Sequence, residues 1–262
     1  MMLYNNVPIE KRSFSEDILN TGLSLYEVCR VFRGSVIFLE DNLLRLENSI
    51  RKSNVNIDIH ALHIKDKLDH LIRLEGIKEG NLKYVLHITS DAIDEYIYQI
   101  RHSYPTEEDY RSGVDTITYH AMRDNAEIKY INPHLRETTN ELIRSHGVYE
   151  ILLIDQDECI TEGSRSNVFF IRDNIFYTTP VPYVLPGTSR KRVLEICRQE
   201  NFPVVEKRMS CADLENYDTA FITGTSPLVL PIRKIDHLFF NPAHPLLRKV
   251  MERYFSLLTL NF

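Results

Sequence analysis

Residues 161–171 read TEGSRSNVFFI, and residues 185–196 read LPGTSRKRVLEI. In the first run, small polar residues precede an apolar segment that is typical of a buried strand. In the second, a small-residue turn precedes apolar residues at helical spacing, which predicts a helix from about Ser189 to Asn201. A polar turn before a strand and a polar turn before a helix are the places where we look for a functional site.

The neighbouring sequence extends this mixture of strands and helices in both directions. Downstream, 218–232 predicts strand-turn-strand, and a last amphipathic helix is expected over about 243–258. Upstream, helix signals at Asn132, Pro133 and Gly147 follow a predicted strand. The further segments predicted as strands are 114–120, 149–155, 159–163 and 166–171.

The N-terminal half predicts a smaller α+β domain. A hairpin is expected over 23–38 with its turn at Arg33–Gly34, followed by a helix capped by Asp41. The remaining elements predicted here are a helix over about 60–75 and strands at 82–89 and 95–100. Because 103–113 is polar and rich in turn residues, we expect domains at 1–108 and 109–262.

Composition excludes several classes of protein. The 262 residues carry a net charge of −6, which disfavours a nucleic-acid binder. No apolar run reaches the roughly 20 residues that span a bilayer, and the N-terminus lacks the apolar core of a signal peptide, so we expect a cytoplasmic protein. The nine glycines form neither a dinucleotide fingerprint nor a Walker A loop. The four cysteines are far apart and predict buried free thiols, and we expect no metal site.

Three segments hold side chains that could react or bind a ligand. Lys129 lies between Ile128 and Tyr130, and an apolar setting lowers the pKa of a lysine, although most such lysines are simply surface residues. Thr188 and Ser189 open a helix whose free amide groups favour a phosphate. Glu162 would hold a proton on a heteroaromatic nitrogen if it faced one.

Together, the segments LLRLENS, KYIN, TEGSRSNVFFI, LPGTSR and FITGTSPLVLPI resemble the class IV pyridoxal-phosphate (PLP) aminotransferases. This group includes D-amino-acid and branched-chain aminotransferases and aminodeoxychorismate lyase. The resemblance runs from about Leu25 to Ile232 in the order and spacing of the family. It implies an α+β, two-domain, fold-type IV enzyme, with a smaller N-terminal domain, a larger C-terminal PLP-binding domain and a homodimeric assembly.

The resemblance also implies a role for individual residues. Lys129 would form the internal aldimine with PLP and move the proton between the substrate and the cofactor. Glu162 would pair with the pyridinium nitrogen, and Tyr26 would line the substrate pocket. The other cofactor-binding positions that it implies are Arg45, Leu185, Thr188, Ser189, Gly224 and Thr225.

The chain also departs from the family pattern. Relatives of the D-amino-acid type carry an Arg-Gly pair that helps hold the substrate carboxylate, whereas this chain has Thr89-Ser90-Asp91. The candidate replacements are Arg30, Arg33 and Arg101, and those for the partner of the cofactor's phenolic oxygen are Arg123 and His134.

The expected activity is transfer of an amino group between an amino acid and a 2-oxo acid. The Tyr26–Glu27 pair favours this reaction, because it resembles the aminotransferase branch more than the lyase branch. Two alternatives stay open: an aminodeoxychorismate lyase that releases pyruvate and aminobenzoate, and a PLP-holding relative without catalysis. Substrate identity and chirality are open as well.

Overall fold

A computed structural model of the chain describes residues 1–260, with side chains as far as residue 258. The chain forms two compact units. The first comprises residues 1–103 together with 128–133, and the second comprises 104–127 and the residues from 134 onward. Residues 128–133 therefore group with the first unit although both flanking segments belong to the second. The functional domain boundary expected at residue 108 stays a prediction.

The first unit is an antiparallel sheet with helices. Its strands are β1 (Met2–Tyr4), β2 (Val7–Ile9), β3 (Leu23–Phe32), β4 (Ser35–Val36), β5 (Gly80–Ile88) and β6 (Ile93–Ile100). Its helices are α1 (Leu39–Lys52) and α2 (Ile64–Glu75), with 3-10 turns at Lys11–Ser13, Glu16–Asn20 and Ile59–Leu62. The strand order is β2-β1-β6-β5-β3-β4.

Alternation along β3 separates the two faces of this sheet, because successive side chains of a strand point to opposite sides. Leu25 and Cys29 pack into a core with Leu46 and Ile50 of α1. Tyr26 belongs to a separate cluster on the other face, together with Val85, Tyr96 and Tyr98. The first face is thus covered by helices, and the second gathers aromatic side chains.

The predicted hairpin is confirmed, because β3 pairs with β4 across Arg33 and Gly34. The predicted helix cap is wrong. Helix α1 begins at Leu39, and its N-cap is Phe38 in the left-handed conformation without a side-chain cap, so Asp41 lies inside the first turn. An acid there still favours the helix, because it faces the positive end of the helix dipole.

The second unit combines a mixed sheet with further helices. Its helices are α3 (Glu107–Ser112), α4 (Pro133–His146), α5 (Thr188–Gln199) and α6 (Pro245–Leu260). Its strands are β7 (Val114–His120), β8 (Glu150–Ile154), β9 (Cys159–Gly163), β10 (Asn167–Arg172), β11 (Ile175–Thr178), β12 (Val204–Glu206), β13 (Met209–Ser210), β14 (Thr219–Gly224), β15 (Leu228–Ile235) and β16 (Leu238–Phe239).

The sheet of the second unit runs in the order β12-β11-β10-β14-β15-β7-β8-β9-β13, with β16 beside β15. Most neighbours are antiparallel, but β7 lies parallel to both β8 and β15, and β11 lies parallel to β12. The central strands are apolar and buried, and the rings of Phe169 and Phe221 stack at 5.0 Å. A buried sheet of this kind fixes the polar residues at the strand ends.

None of the helices in residues 1–260 combines the length and the apolar character needed to cross a bilayer. Over the same residues, no group of three or more His, Cys, Asp or Glu side chains is placed to hold a metal ion.

Candidate active site

In the first unit, Lys129 is held against the edge of β3. The amide of Tyr26 donates to the Lys129 carbonyl at 3.0 Å, and the amide of Ile131 donates to the Ser24 carbonyl at 2.9 Å. Leu25 and Tyr130 form an isolated antiparallel bridge. The segment that carries Lys129 is therefore tied to β3 by backbone hydrogen bonds.

Helix α1 holds the other side of Lys129. The Lys129 amide donates to Ser49 Oγ at 3.3 Å, and that hydroxyl donates to the Arg45 carbonyl at 3.0 Å. The Lys129 amine lies 4.6 Å from the centroid of the Tyr26 ring, within the range of a cation–π contact. The first unit thus brings together Tyr26, Arg45 and Lys129, three of the residues predicted from sequence.

Arg45 is paired with Glu27, which sequence analysis did not connect with it. Its Nε and Nη2 atoms donate to the two oxygens of Glu27 at 2.8 and 2.5 Å, and Asn42 adds a third donor at 2.8 Å. Burial disfavours the charged form of Arg45, but the carboxylate of Glu27 outweighs burial and raises the pKa of Arg45. Binding of the cofactor phosphate by Arg45 stays a prediction.

In the second unit, Glu162 is a buried carboxylate with a cationic neighbour. Its side chain is 3% exposed, and Arg123 Nε lies 3.0 Å from its Oε1 atom. Its Oε2 atom accepts from the amide of Leu185 at 3.1 Å. A guanidinium at this distance attracts a carboxylate by charge, and a carboxylate is the group that holding a proton on a ring nitrogen requires. Arg123, one of two candidates for the phenolic oxygen, is thereby placed beside Glu162.

Asn167 connects the predicted residues of the second unit, and sequence analysis missed it. Its Nδ2 atom donates to the carbonyl of Leu185 at 2.9 Å and lies 3.4 Å from Glu162 Oε2. In the sheet it is paired with Thr223, next to the turn that carries Gly224. A polar residue at the start of the buried strand β10 is the signal that could have identified it.

The turn before α5 approaches Asn167 closely. A Cβ atom at Gly187 would lie 2.0 Å from Asn167 Oδ1, which leaves room only for glycine. Gly187 is also the N-cap of α5, without a side-chain hydrogen bond, and the first turn of the helix holds no acid. Thr188 and Ser189 therefore stand at a helix N-terminus suited to a phosphate.

Gly224 ends β14, and Thr225 lies in the turn that leads to β15. Thr223 closes this turn by donating from Oγ1 to the Leu228 carbonyl at 2.6 Å. Through the pairing of Asn167 with Thr223, the turn belongs to the same neighbourhood as Glu162.

A second buried carboxylate, Glu150, orders the turn after β9. Its oxygens accept from Ser164 Oγ at 2.6 Å, Ser166 Oγ at 2.9 Å and the amide of Arg165 at 3.2 Å. A Cβ atom at Gly163 would lie 2.1 Å from Ser166 Oγ. The segment GSRS is thus held by a carboxylate that sequence analysis did not single out.

The residues of each unit suit PLP. The second unit has a buried carboxylate that would suit the ring nitrogen and a helix N-terminus that would suit the phosphate, and the first unit has a lysine amine held over Tyr26.

Comparisons with known proteins identify the family of the chain. Residues 24–235 match the family model Amino-transferase class IV. The D-alanine aminotransferase of Bacillus licheniformis is 27% identical over 254 residues, which is 90% of this chain and 88% of that protein. The chain belongs to the class IV aminotransferase family, which confirms the resemblance predicted from sequence.

Solved structures share the fold, with a mixed α+β architecture as expected. The 4-amino-4-deoxychorismate lyase of Pseudomonas aeruginosa is similar with a TM-score of 0.82 and 20% identity, covering 98% of each chain. A PLP-bound hypothetical aminotransferase from Mycobacterium tuberculosis is similar with a TM-score of 0.81 and 17% identity, covering 100% of each chain. Transferases and a lyase thus share this fold.

Proposed function

We propose that the chain is a PLP-dependent aminotransferase that moves an amino group between an amino acid and a 2-oxo acid. The observation that carries the proposal is the fixed position of Lys129, whose backbone bonds to Tyr26 and Ser49 and whose amine lies over the Tyr26 ring. Family membership supports it, as does the D-alanine aminotransferase among the relatives.

In this proposal, PLP supplies an aldehyde that accepts the amino group and a ring that delocalises the electron pair left by the α-proton. Lys129 would hold the cofactor through its amine, then take the proton from the substrate α-carbon and deliver it to the C4′ carbon of the cofactor. A neutral amine is required for the first transfer, because only the unprotonated nitrogen can accept the proton.

Glu162 would keep a proton on the ring nitrogen, so that the ring remains an effective electron acceptor. Arg123 pairs with Glu162, and Asn167 and the Leu185 amide fix the direction of the carboxylate. The turn at Thr188 and Ser189, with Gly224, Thr225 and Arg45, would bind the phosphate, Leu185 would pack on the ring, and Tyr26 would line the substrate pocket.

A donor screen tests the function. PLP-loaded protein is mixed with L- and D-amino acids and with pyruvate or 2-oxoglutarate, and new amino and oxo acids are measured. Product formation with matched donor and acceptor supports the proposal. The same protein is offered aminodeoxychorismate alone, because the fold is shared with a lyase. Release of pyruvate and aminobenzoate without an acceptor identifies the lyase instead.

A non-catalytic PLP-holding relative gives a third outcome, in which PLP binds but no donor converts it to the amine form.

We also propose that the chain forms a homodimer and has a cytoplasmic location. Light scattering coupled to gel filtration measures the assembly, and a mass of one chain under all conditions contradicts the dimer.

A further inference from the structure

A second lysine amine lies over the ring that Lys129 contacts. Lys83 Nζ is 5.5 Å from the centroid of Tyr26 and 5.5 Å from the centroid of Tyr98. Its side chain is 13% exposed, which is low for a lysine. Two cations therefore share one aromatic side chain in the first unit.

The strand register places Lys83 on this face. In β5, Lys83 is paired with Val28 on one side and with Tyr98 on the other. Its chain neighbours Leu82 and Tyr84 point into the opposite, helix-covered core. The Lys83 amine is thus fixed on the aromatic face by the sheet and does not depend on a flexible loop.

Lys83 has a described acidic partner in Glu16, whose Oε2 atom is 2.9 Å from Lys83 Nζ. Lys11 and Lys129 also lie over Tyr98 and Tyr26, so the aromatic face gathers several amines. The Glu16 side chain is 56% exposed. An exposed acid is well solvated and holds its partner weakly, so another carboxylate can replace it.

We propose that Lys83 determines substrate binding by pairing with a substrate carboxylate, which takes the place of Glu16. This inference rests on the proposed function, since Lys129 beside the same ring is the proposed reacting amine. It assigns a cation to the substrate carboxylate, for which the segment Thr89-Ser90-Asp91 offers none. The candidates from sequence were Arg30, Arg33 and Arg101, and Lys83 is a different residue.

Binding of unreactive acids tests the proposal without turnover. PLP-loaded wild-type protein and the Lys83→Gln variant are titrated by calorimetry with propionate, which has one carboxylate, and succinate, which has two. We expect Lys83→Gln to weaken binding about 10- to 100-fold, the usual loss for a charge-assisted pair. A loss of affinity for both acids assigns Lys83 to the carboxylate common to all amino acids. A loss of affinity for succinate alone assigns Lys83 to the second carboxylate of an acidic substrate.

Two further variants separate a binding role from a structural one. Lys83→Arg should retain most of the affinity. Glu16→Gln should tighten binding, because it removes the competing carboxylate, and this measurement does not depend on the folding of a Lys83 variant. The matched control is Lys67→Gln, because Lys67 is 14% exposed and pairs with Glu95 at 2.5 Å in the same unit. We expect the control to leave affinity for both acids unchanged.

The outcomes keep the two proposals apart. If wild-type protein transfers amino groups but Lys83→Gln binds both acids normally, the Lys83 proposal is wrong and the aminotransferase stands. Weaker binding in Glu16→Gln, or no binding of either acid to wild type, also overturns the Lys83 proposal. If the donor screen fails while binding still depends on Lys83, the aminotransferase fails and the carboxylate site stands.

Discussion

Replacing Glu27 by Gln should destabilise the first unit strongly. Glu27 and Arg45 are 2% and 7% exposed, and three donors converge on the Glu27 carboxylate, two of them from Arg45. A Gln side chain retains a single acceptor oxygen, turns an amide group toward one of the donors, and leaves the Arg45 cation buried without a counter-ion.

Breaking a buried ion pair from one side costs about 3 to 5 kcal/mol. That range corresponds to roughly two to four powers of ten in the unfolding constant. At about 2 to 4 °C per kcal/mol for a chain of this size, the melting temperature should fall by roughly 6 to 20 °C.

Urea unfolding followed by circular dichroism measures the total decrease in the free energy of unfolding for Glu27→Gln. Hydrogen exchange on peptides of β3 and α1 tests whether this decrease lies in the first unit. Asp69→Asn is the control, because the exposed pair of Asp69 with Lys65 contributes about 1 kcal/mol or less. The double variant Glu27→Leu/Arg45→Met should recover much of the loss, since apolar side chains can replace a buried pair. A change below about 1 kcal/mol for Glu27→Gln would refute the reasoning.

Three other variants test the site and the core. Lys129→Ala should keep its circular dichroism spectrum but lose any borohydride-fixed bond to PLP, and a surviving bond would point to another lysine, such as Lys83. Glu162→Gln should bind PLP and slow single-turnover proton transfer about 100-fold or more, whereas Glu206→Gln, which changes an acid paired with Arg190 at 2.6 Å in the same unit, should not. An undiminished rate removes the role of Glu162. Burial raises the pKa of Cys197 to about 12. Above pH 9 the unfolded thiol ionises and the folded one does not, so stability should fall by about 1.4 kcal/mol per pH unit from this group up to pH 12. Cys197→Ala should show a shallower decline in urea midpoints between pH 9 and 11, and an identical slope would contradict the assignment.

Local pattern was sufficient for most elements of the fold. The strand expected at 114–120 is β7 with those bounds, and Pro133 begins α4 as its fixed backbone angle favours. The error at Asp41 arose because a left-handed Phe38 opens α1, and the usual capping rules expect a short polar side chain there. Pairings between distant segments, such as β1 with β6, leave no trace in local periodicity.

In the candidate site, too, local motifs were predictable from sequence and contacts between distant segments were not. Lys129 and Glu162 were identifiable because they lie in family motifs, and motifs are local. Their pairing with Ser49 and Arg123 was not, since these partners come from separate segments that only the fold brings near them. Sequence indicated which residues could react, and the structure indicated which residues hold them in place.

The grouping of residues 128–133 with the first unit affects how the chain can fold during synthesis. A ribosome synthesises β7 of the second unit before Lys129. The edge of β3 therefore stays without its backbone partners until residues 129–131 have been made. Residues 1–103 made alone would lack the backbone partners that Tyr26 and Ser24 find at 129–131. The proposed reacting amine of Lys129 is thus synthesised only after the first strand of the second unit, so the first unit cannot be completed before synthesis of the second has begun.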